Sequence, residues 1–236
     1  MSYGFAPPYL DSRLESIWEG IQNNEMDNIP VDNNQPQWFV MNIYAKHNRK
    51  AEEVLSSSQG LPHFIPKHYV VRKYFGKVRR ELVPLIHNLV FVHASYTKVH
   101  NFQRQYSFLG FAVERHGDHY SPLVVPDYQM ENFIRIASHH DQQLLYFRPE
   151  EIALAKGVFV RILGGPYHGA KGEMMRIKGK RDKRLVVRIP QIMAVAATTI
   201  EPELIQVISE EEFRQSEPLT DWPATSDPSD SNHKNI

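Results

Sequence analysis

Apolar and polar positions change period several times along the chain. Trp38 to Ala45 (WFVMNIYA) is apolar on nearly both faces, which predicts a strand covered on both sides. From Asn48 to Ser58 the period lengthens, and Ala51, Val54 and Leu55 fall on one side of a helix. Asn48 is its expected N-cap and Gly60 its stop. Strand signals return at Tyr69 to Phe75 (YVVRKYF) and near Val83, with Gly76-Lys77-Val78-Arg79-Arg80 read as a basic hairpin tip. Leu89 to His93 (LVFVH) carries the strongest strand pattern in this half. Val99, Phe102 and Tyr106 stand at i, i+3 and i+7, so Lys98 to Tyr106 is expected to be helical. Phe108 to Glu114 predicts another strand and Gly117-Asp118 a turn. Asp127 is the expected cap of a third helix that buries Met130, Phe133, Ile134 and Ala137. The order β-α-β-β-α-β with a trailing helix is the split βαβ, ferredoxin-like pattern.

A second, all-β unit is expected over residues 157–208. In VFVRILGGPYHGAKGEMMRI, Val158, Val160 and Ile162 alternate with Phe159, Arg161 and Leu163. The chain then turns at Gly164-Gly165-Pro166, meets Gly169 and Gly172, and re-enters a strand at Met174, Met175 and Ile177. Glycine admits positive φ without steric cost and proline presets the first corner of a turn, so the stretch predicts a strongly bent hairpin. Strands at Leu185 to Ile189, Met193 to Thr199 and Leu204 to Ile208 complete five in about fifty residues, the pattern of an SH3-like barrel. The chain therefore reads as α+β, with a ferredoxin-like α/β sandwich at 37–138, a linker at 139–156 and a small β-barrel at 157–208. Residues 1–36, rich in Asn, Asp and Pro, and residues 209–236, acidic and proline-interrupted, are expected to be disordered. Within the first extension Leu14, Ile17, Trp18 and Ile21 form one helical stripe, either a helix packed back on the protein or a partner-binding one.

Charge adds one distinction. The 27 basic and 27 acidic residues cancel overall, yet they segregate. Residues 1–36 and 209–236 each carry net −5, while 37–155 carry +4 and 156–208 carry +6. Basic units between acidic tails suggest contact with a polyanion or an acidic surface. The absence of cysteine excludes disulfides and thiolate zinc sites and fits a reducing cytoplasm. No apolar run reaches the roughly 18 to 20 residues that span a bilayer, and MSYGFAPPYLDSRLE lacks the pattern of a signal peptide.

Taken together the two halves resemble the NusG family of transcription elongation factors. The matching residues are Trp38-Phe39-Val40 with the helix after it, Ile65-Pro66, the run Pro84 to Val92, and Val125-Pro126-Asp127 with its helix. In the C-terminal half they are Gly157, Val160-Arg161-Ile162 and Gly165-Pro166-Tyr167-His168-Gly169-Ala170-Lys171-Gly172, which looks like a KOW motif. The resemblance covers roughly residues 37–208. It implies a NusG N-terminal (NGN) domain followed by a KOW domain. Where the family has a Phe-Pro-(Gly/Asn)-Tyr run, this chain has Ile86-His87-Asn88-Leu89, which keeps an apolar side chain and loses a hydroxyl. That divergence and the tails look similar to specialised paralogues, the UpxY-type antiterminators of capsule polysaccharide operons.

The resemblance implies a non-catalytic factor without cofactors, a monomer that binds RNA polymerase and so changes pausing and termination. By position, Asn42, Tyr44, Leu89 and Phe91 would contact the polymerase, which calls for an exposed apolar patch around Leu89 and Phe91. Lys46, His47, Arg49, Lys50, His100 and Asn101 would lie near non-template DNA or the polymerase gate loop. The alternative for the helix-start charges is a solvated face. In the KOW unit Lys171, Arg176, Lys178, Lys180, Arg181, Lys183 and Arg184 form the densest basic patch, suited to phosphate contact with nascent RNA. A ribosomal protein or the termination factor Rho is the equal competitor there.

Other readings stay on the table. No Walker loop, Rossmann fingerprint, Gly-x-Ser-x-Gly elbow or His-Glu-x-x-His is present. His116-Gly117-Asp118-His119 and His139-His140 are the only metal-like groupings, and neither comes with a spaced carboxylate set. The serious alternative is a KOW-type RNA-binding protein associated with ribosomes, which needs only the basic KOW surface and leaves Leu89 and Phe91 buried.

Overall fold

The computed structural model describes residues 35–217 and 219, apart from 45–46, 58, 76, 118, 140–143, 148–156, 177–182, 190–191 and 198–199. The expectations for the stripe at Leu14 to Ile21, for the first extension up to residue 34 and for the tail beyond 219 lie outside the described residues.

The N-terminal unit follows the split βαβ order. Strand β1 (Gln37–Ile43) leads to helix α1 (Asn48–Leu55), then β2 (His63–Phe64) and the long hairpin of β3 (Lys67–Tyr74) and β4 (Lys77–Pro84). After it come β5 (Leu89–Ala94), α2 (Tyr96–Gln105) and β6 (Leu109–Phe111). The small hairpin β7 (Val113–His116) and β8 (His119–Pro122), β9 (Val124–Val125) and α3 (Asp127–Ala137) complete it. The sheet order is β2-β5-β1-β6, with β9 also on β1, and all pairs are antiparallel.

Alternation along β1 and β5 sorts the side chains. Phe39, Met41, Ile43, Val90 and Val92 pack with Ala51, Leu55, Val99 and Phe102 of α1 and α2. Trp38, Val40, Leu89 and Phe91 point the other way, into a core with Met130, Phe133 and Ile136 of α3. Both faces are covered, which is why these strands read as unbroken apolar runs.

Sequence expectations differ from the structure at several ends. Asn48 does not cap α1; His47 occupies that position, and Asn48 instead exchanges two hydrogen bonds with Asn88 across the sheet edge, at 3.1 and 3.0 Å. Pro126 rather than Asp127 occupies the N-cap position of α3. Gly60 lies so close to the end of α1 that an added Cβ would meet the Leu55 carbonyl oxygen at 1.9 Å. The basic residues Lys77 to Arg80 belong to β4, whose first residue Lys77 already pairs with Tyr74 of β3.

The C-terminal unit contains β11 (Val158–Ile162), β12 (Lys171–Arg176), β13 (Lys183–Ile189), β14 (Met193–Ala196) and, after a 3-10 turn at Pro202–Leu204, β15 (Ile205–Val207). Gly165 and Gly169, at φ of 75° and 77°, make the corner that the glycine-rich stretch predicts. A sixth strand, β10 (Leu145–Phe147), joins the sheet against β14, so the expected linker contributes to the barrel. The order β10-β14-β13-β12-β11-β15 is the antiparallel meander of an SH3-like fold.

The two units share one core. Leu185, Val187 and Val195 of the barrel belong to the same apolar cluster as Phe91, Met130 and Phe133. Helix α3 is the layer between sheet and barrel. Phe133 sits edge-on to Phe64 and tilted against Phe91, each at 5.9 Å. Truncating it should cost about 3–5 kcal/mol by loss of transfer energy and a residual cavity. Urea unfolding of Phe133→Ala beside the wild type measures that loss directly.

Candidate interaction faces and the C-terminal clasp

Register brings the expected polymerase contacts together. Asn42 pairs with Leu89 and Val40 with Phe91, so Asn42, Leu89 and Phe91 share one sheet face, and Tyr44 follows one residue past the end of β1. They are not equally accessible. Phe91 is fully buried and Leu89 is 8% exposed, while Asn42 and Tyr44 at the open end are half-buried. The exposed patch expected around Leu89 and Phe91 is therefore covered in this arrangement, because α3 lies on it and the barrel lies on α3. Tyr44 lies over Gly110, where an added Cβ would meet its ring at 2.6 Å. Burial raises the Tyr44 phenol pKa, partly opposed by a hydrogen bond from the Asn42 side chain.

The expected nucleic-acid group divides. His47 is half-buried, with Nδ1 3.1 Å from the Tyr44 carbonyl and its ring stacked on Phe108 at 5.3 Å. Lys50 reaches over the same ring, its Nζ 5.1 Å from the Phe108 ring centre. Arg49 is exposed and paired with Glu53 at 2.9 Å. His100 stacks on Tyr96 at 5.6 Å, and Asn101 is exposed. Lys46 lies outside the described residues, as do Lys178, Lys180 and Arg181 of the barrel group. Arg176 and Lys183 are exposed and directly opposite each other in the β12–β13 ladder, and Arg184 beside them is half-buried.

Lys171 is a correction. Expected on the basic surface, it is 1% exposed, one of two buried polar residues among those described. Its backbone N–H donates to Asn132 Oδ1 at 2.7 Å, and Asn132 Nδ2 donates back to the Tyr128 carbonyl within α3. Its Nζ reaches the Glu212 carbonyl at 3.0 Å, the Gln215 carbonyl at 3.1 Å and Glu217 Oε1 at 2.7 Å. An ammonium has three donors, and all three are used.

Those acceptors come from a stretch expected to be disordered. Residues 209–217 form a clasp opened by the short helix α4 (Glu210–Phe213). Ser209 Oγ accepts from the Glu212 N–H at 3.1 Å, a Ser-x-x-Glu start that the sequence displays and composition alone hides. Phe213 stacks on Phe159 of β11 at 4.6 Å and edge-on to Tyr128 of α3 at 5.4 Å. Arg161 Nη2 pairs with Glu212 at 3.1 Å and Glu217 at 2.6 Å. On the α3 side, Glu131 accepts from Ser216 Oγ and the Glu217 N–H, and Arg135 donates to the Glu217 carbonyl. The clasp thus holds helix and barrel at once.

Two carboxylates at the clasp contact, Glu217 of the clasp and Glu131 of α3, are tuned oppositely. Burial pushes Glu217 up, but the hydrogen bond and charge of Lys171, with Arg161 and Arg135, outweigh it and leave the pKa below the ordinary value. For Glu131 burial dominates over the bonds from Glu217 and Ser216, and the pKa is raised. Among the described residues no three His, Asp or Glu side chains gather as a metal site, and His139 instead sits edge-on to Tyr167 at 5.4 Å.

Residues 36–134 match the family model NusG, described as transcription termination factor nusG. Among solved structures, a similar chain is that titled "Domain interaction in Thermotoga maritima NusG". It is 18% identical, with 74% of this chain and 98% of that chain covered, at a TM-score of 0.36. No curated protein matches.

Removing the Glu217 carboxylate leaves a buried ammonium without its ion-pair partner. Glu217→Ala should cost about 2 kcal/mol, less than the roughly 3–5 of a fully buried pair because Glu217 is partly open to water. Hydrogen exchange should show residues 209–217 losing protection before the barrel strands do. The pH dependence has a defined sign. A lowered carboxylate pKa adds stability above the unfolded value near 4.5, and that stability is lost as pH falls through the lower folded value. Glu131 acts oppositely, stabilising the closed form only as it becomes protonated. Acid titration of wild type beside Glu217→Gln should therefore show a low-pH loss of clasp protection only in the wild type.

Proposed function

We propose, from the match of residues 36–134 to the NusG family model, that the chain is a transcription factor of that kind whose N-terminal domain binds RNA polymerase and alters pausing and termination. The observation that carries this reading is the shared sheet face. Of the contacts that the family implies, Asn42, Leu89 and Phe91 stand together in register on β1 and β5, and Tyr44 follows just beyond the end of β1. Mechanistically the protein acts as a ligand that favours one polymerase conformation over another, and no covalent step is required.

The closed arrangement gives the reading a second part. The apolar face at Leu89 and Phe91 continues into the barrel core through α3, and the clasp ties the barrel to that helix. Polymerase binding at full strength then requires the barrel to leave. Any energy holding the closed form reduces apparent affinity by the fraction of open molecules. The Ile86-His87-Asn88-Leu89 run and the acidic extensions support a specialised, operon-directed paralogue in the cytoplasm. No described helix is long and apolar enough to cross a membrane.

One set of observations favours the second reading, a KOW-type RNA-binding protein of the ribosome. Leu89 and Phe91 are buried, while Arg176 and Lys183 are exposed on adjacent strands. A binding measurement separates the two. The full chain and a Glu217→Ala variant are titrated against core RNA polymerase from the native host, with Tyr44→Ala added to each. The polymerase reading expects Glu217→Ala to bind about tenfold tighter than wild type, and Tyr44→Ala, at the open end of the face, to weaken both by about 1 kcal/mol. Folded protein that ignores polymerase in both forms moves the function to the barrel and RNA.

A further inference from the structure

The β3–β4 hairpin belongs to none of the faces described above. It forms a two-stranded sheet of its own, eight residues on each side, so it extends about 26 Å. A free ribbon of this kind buries little, and its composition is not that of a structural arm. Residues 67–84 hold six basic side chains and one acidic one. Lys67 is engaged by Glu52 of α1 and Arg72 by Glu81 at 3.5 Å, which leaves Lys73, Lys77 and Arg79 without a carboxylate partner among the described residues.

Aromatic rings stand among these cations. Tyr74 is 42% exposed and Phe75 is fully exposed at the tip. Tyr74, Phe75, Lys77, Arg79 and Glu81 line one shallow, open concavity. Pairing explains the grouping, since Tyr74 faces Lys77 and Arg72 faces Arg79 across the ladder. Arg72 also reaches the Tyr74 hydroxyl at 3.5 Å.

The tip also carries strain. Phe75 has a φ of 46°. A two-residue hairpin turn needs positive φ at its first central position, where Asn, Asp or Gly is the low-energy choice. A bulky side chain there is a conformational outlier, and it is not repaid by packing, because the ring touches solvent on all sides. Folding alone gives no reason for a phenylalanine at this position.

We propose that the concave face and tip of this hairpin bind single-stranded nucleic acid, with bases stacked on Tyr74 and Phe75 and phosphates held by Lys77 and Arg79. Two rings and two cations on one open surface are the elements of a sequence-tolerant stacking site. Charge complementarity points to a polyanion, and the exposed rings point to unpaired bases rather than to phosphates alone. Two rings within one turn of the chain accommodate one or two bases.

The test uses the full chain and a labelled twelve-nucleotide single strand of mixed sequence, with the matching duplex beside it, read by fluorescence anisotropy at two salt concentrations. No polymerase is present, so the result stands apart from the function proposed above. The expected result is preference for the single strand, with Phe75→Ala and Tyr74→Ala each weakening it about tenfold. Lys77→Gln with Arg79→Gln should weaken it and lower the salt slope by about 1.4, two phosphates' worth on a single strand. Phe75→Gly separates function from fold. It should unfold at higher denaturant than wild type, because the strained φ suits glycine, and still lose binding. Wild-type affinity in Phe75→Gly and Tyr74→Ala would overturn the proposal. So would equal loss on duplex and single strand, which indicates groove or phosphate binding, or the absence of any binding by the wild type.

Discussion

A single buried ammonium sets the arrangement of this molecule. Each of the three donors on the Lys171 ammonium finds an oxygen, and all three oxygens come from the clasp. An unpaired charge at that depth would be costly. Its own N–H is taken by Asn132, so the same residue ties barrel, helix and clasp. Remove the clasp and the barrel's contact with α3 keeps the Asn132 bond and the apolar layer but leaves the buried ammonium without acceptors. The closed form thus depends on the clasp through the polar groups that the clasp satisfies.

That dependence links energetics to function. Apolar contact between α3 and the barrel supplies attraction without much direction. The carboxylates of Glu131, Glu212 and Glu217, with Arg135 and Arg161, supply direction, and their hydrogen bonds lie near the edge of the contact where water and ions compete. A partner that displaces the clasp need not break the apolar layer first. The hairpin of β3 and β4 stands outside this economy altogether. It is tied to the body through its base, where Lys67 meets Glu52 and Leu85 donates to the Pro66 carbonyl.

Most of the fold was legible because strand and helix periods were clean. The runs at Trp38 and Leu89, buried on both faces, and the glycine corner at Gly165 and Gly169 named the two units before any coordinate. Register puts Asn42 beside Leu89 on one face, yet periodicity cannot say which covered face is covered by a separable element. Lys171 was misplaced for a physical reason: a lysine in a basic run reads as surface, and only a partner forty-odd residues away reveals otherwise. The clasp was missed because acidic composition outweighed the local Ser209 to Glu212 capping pattern and the aromatic at Phe213. The basic stretch after Gly76 was seen, but its strand pairing and the exposed ring at Phe75 needed three dimensions.

The clasp has a consequence for how the chain is born. Glu131 and the Glu217 N–H that it accepts are 86 residues apart. At synthesis rates of 5–20 residues per second, roughly 4–17 s separate the two. For that interval the N-terminal domain can be folded without its clasp, since the barrel strands are still being made and residues 209–217 come after them. The newly made chain would therefore spend its first seconds unclasped, and close only once its last residues have followed.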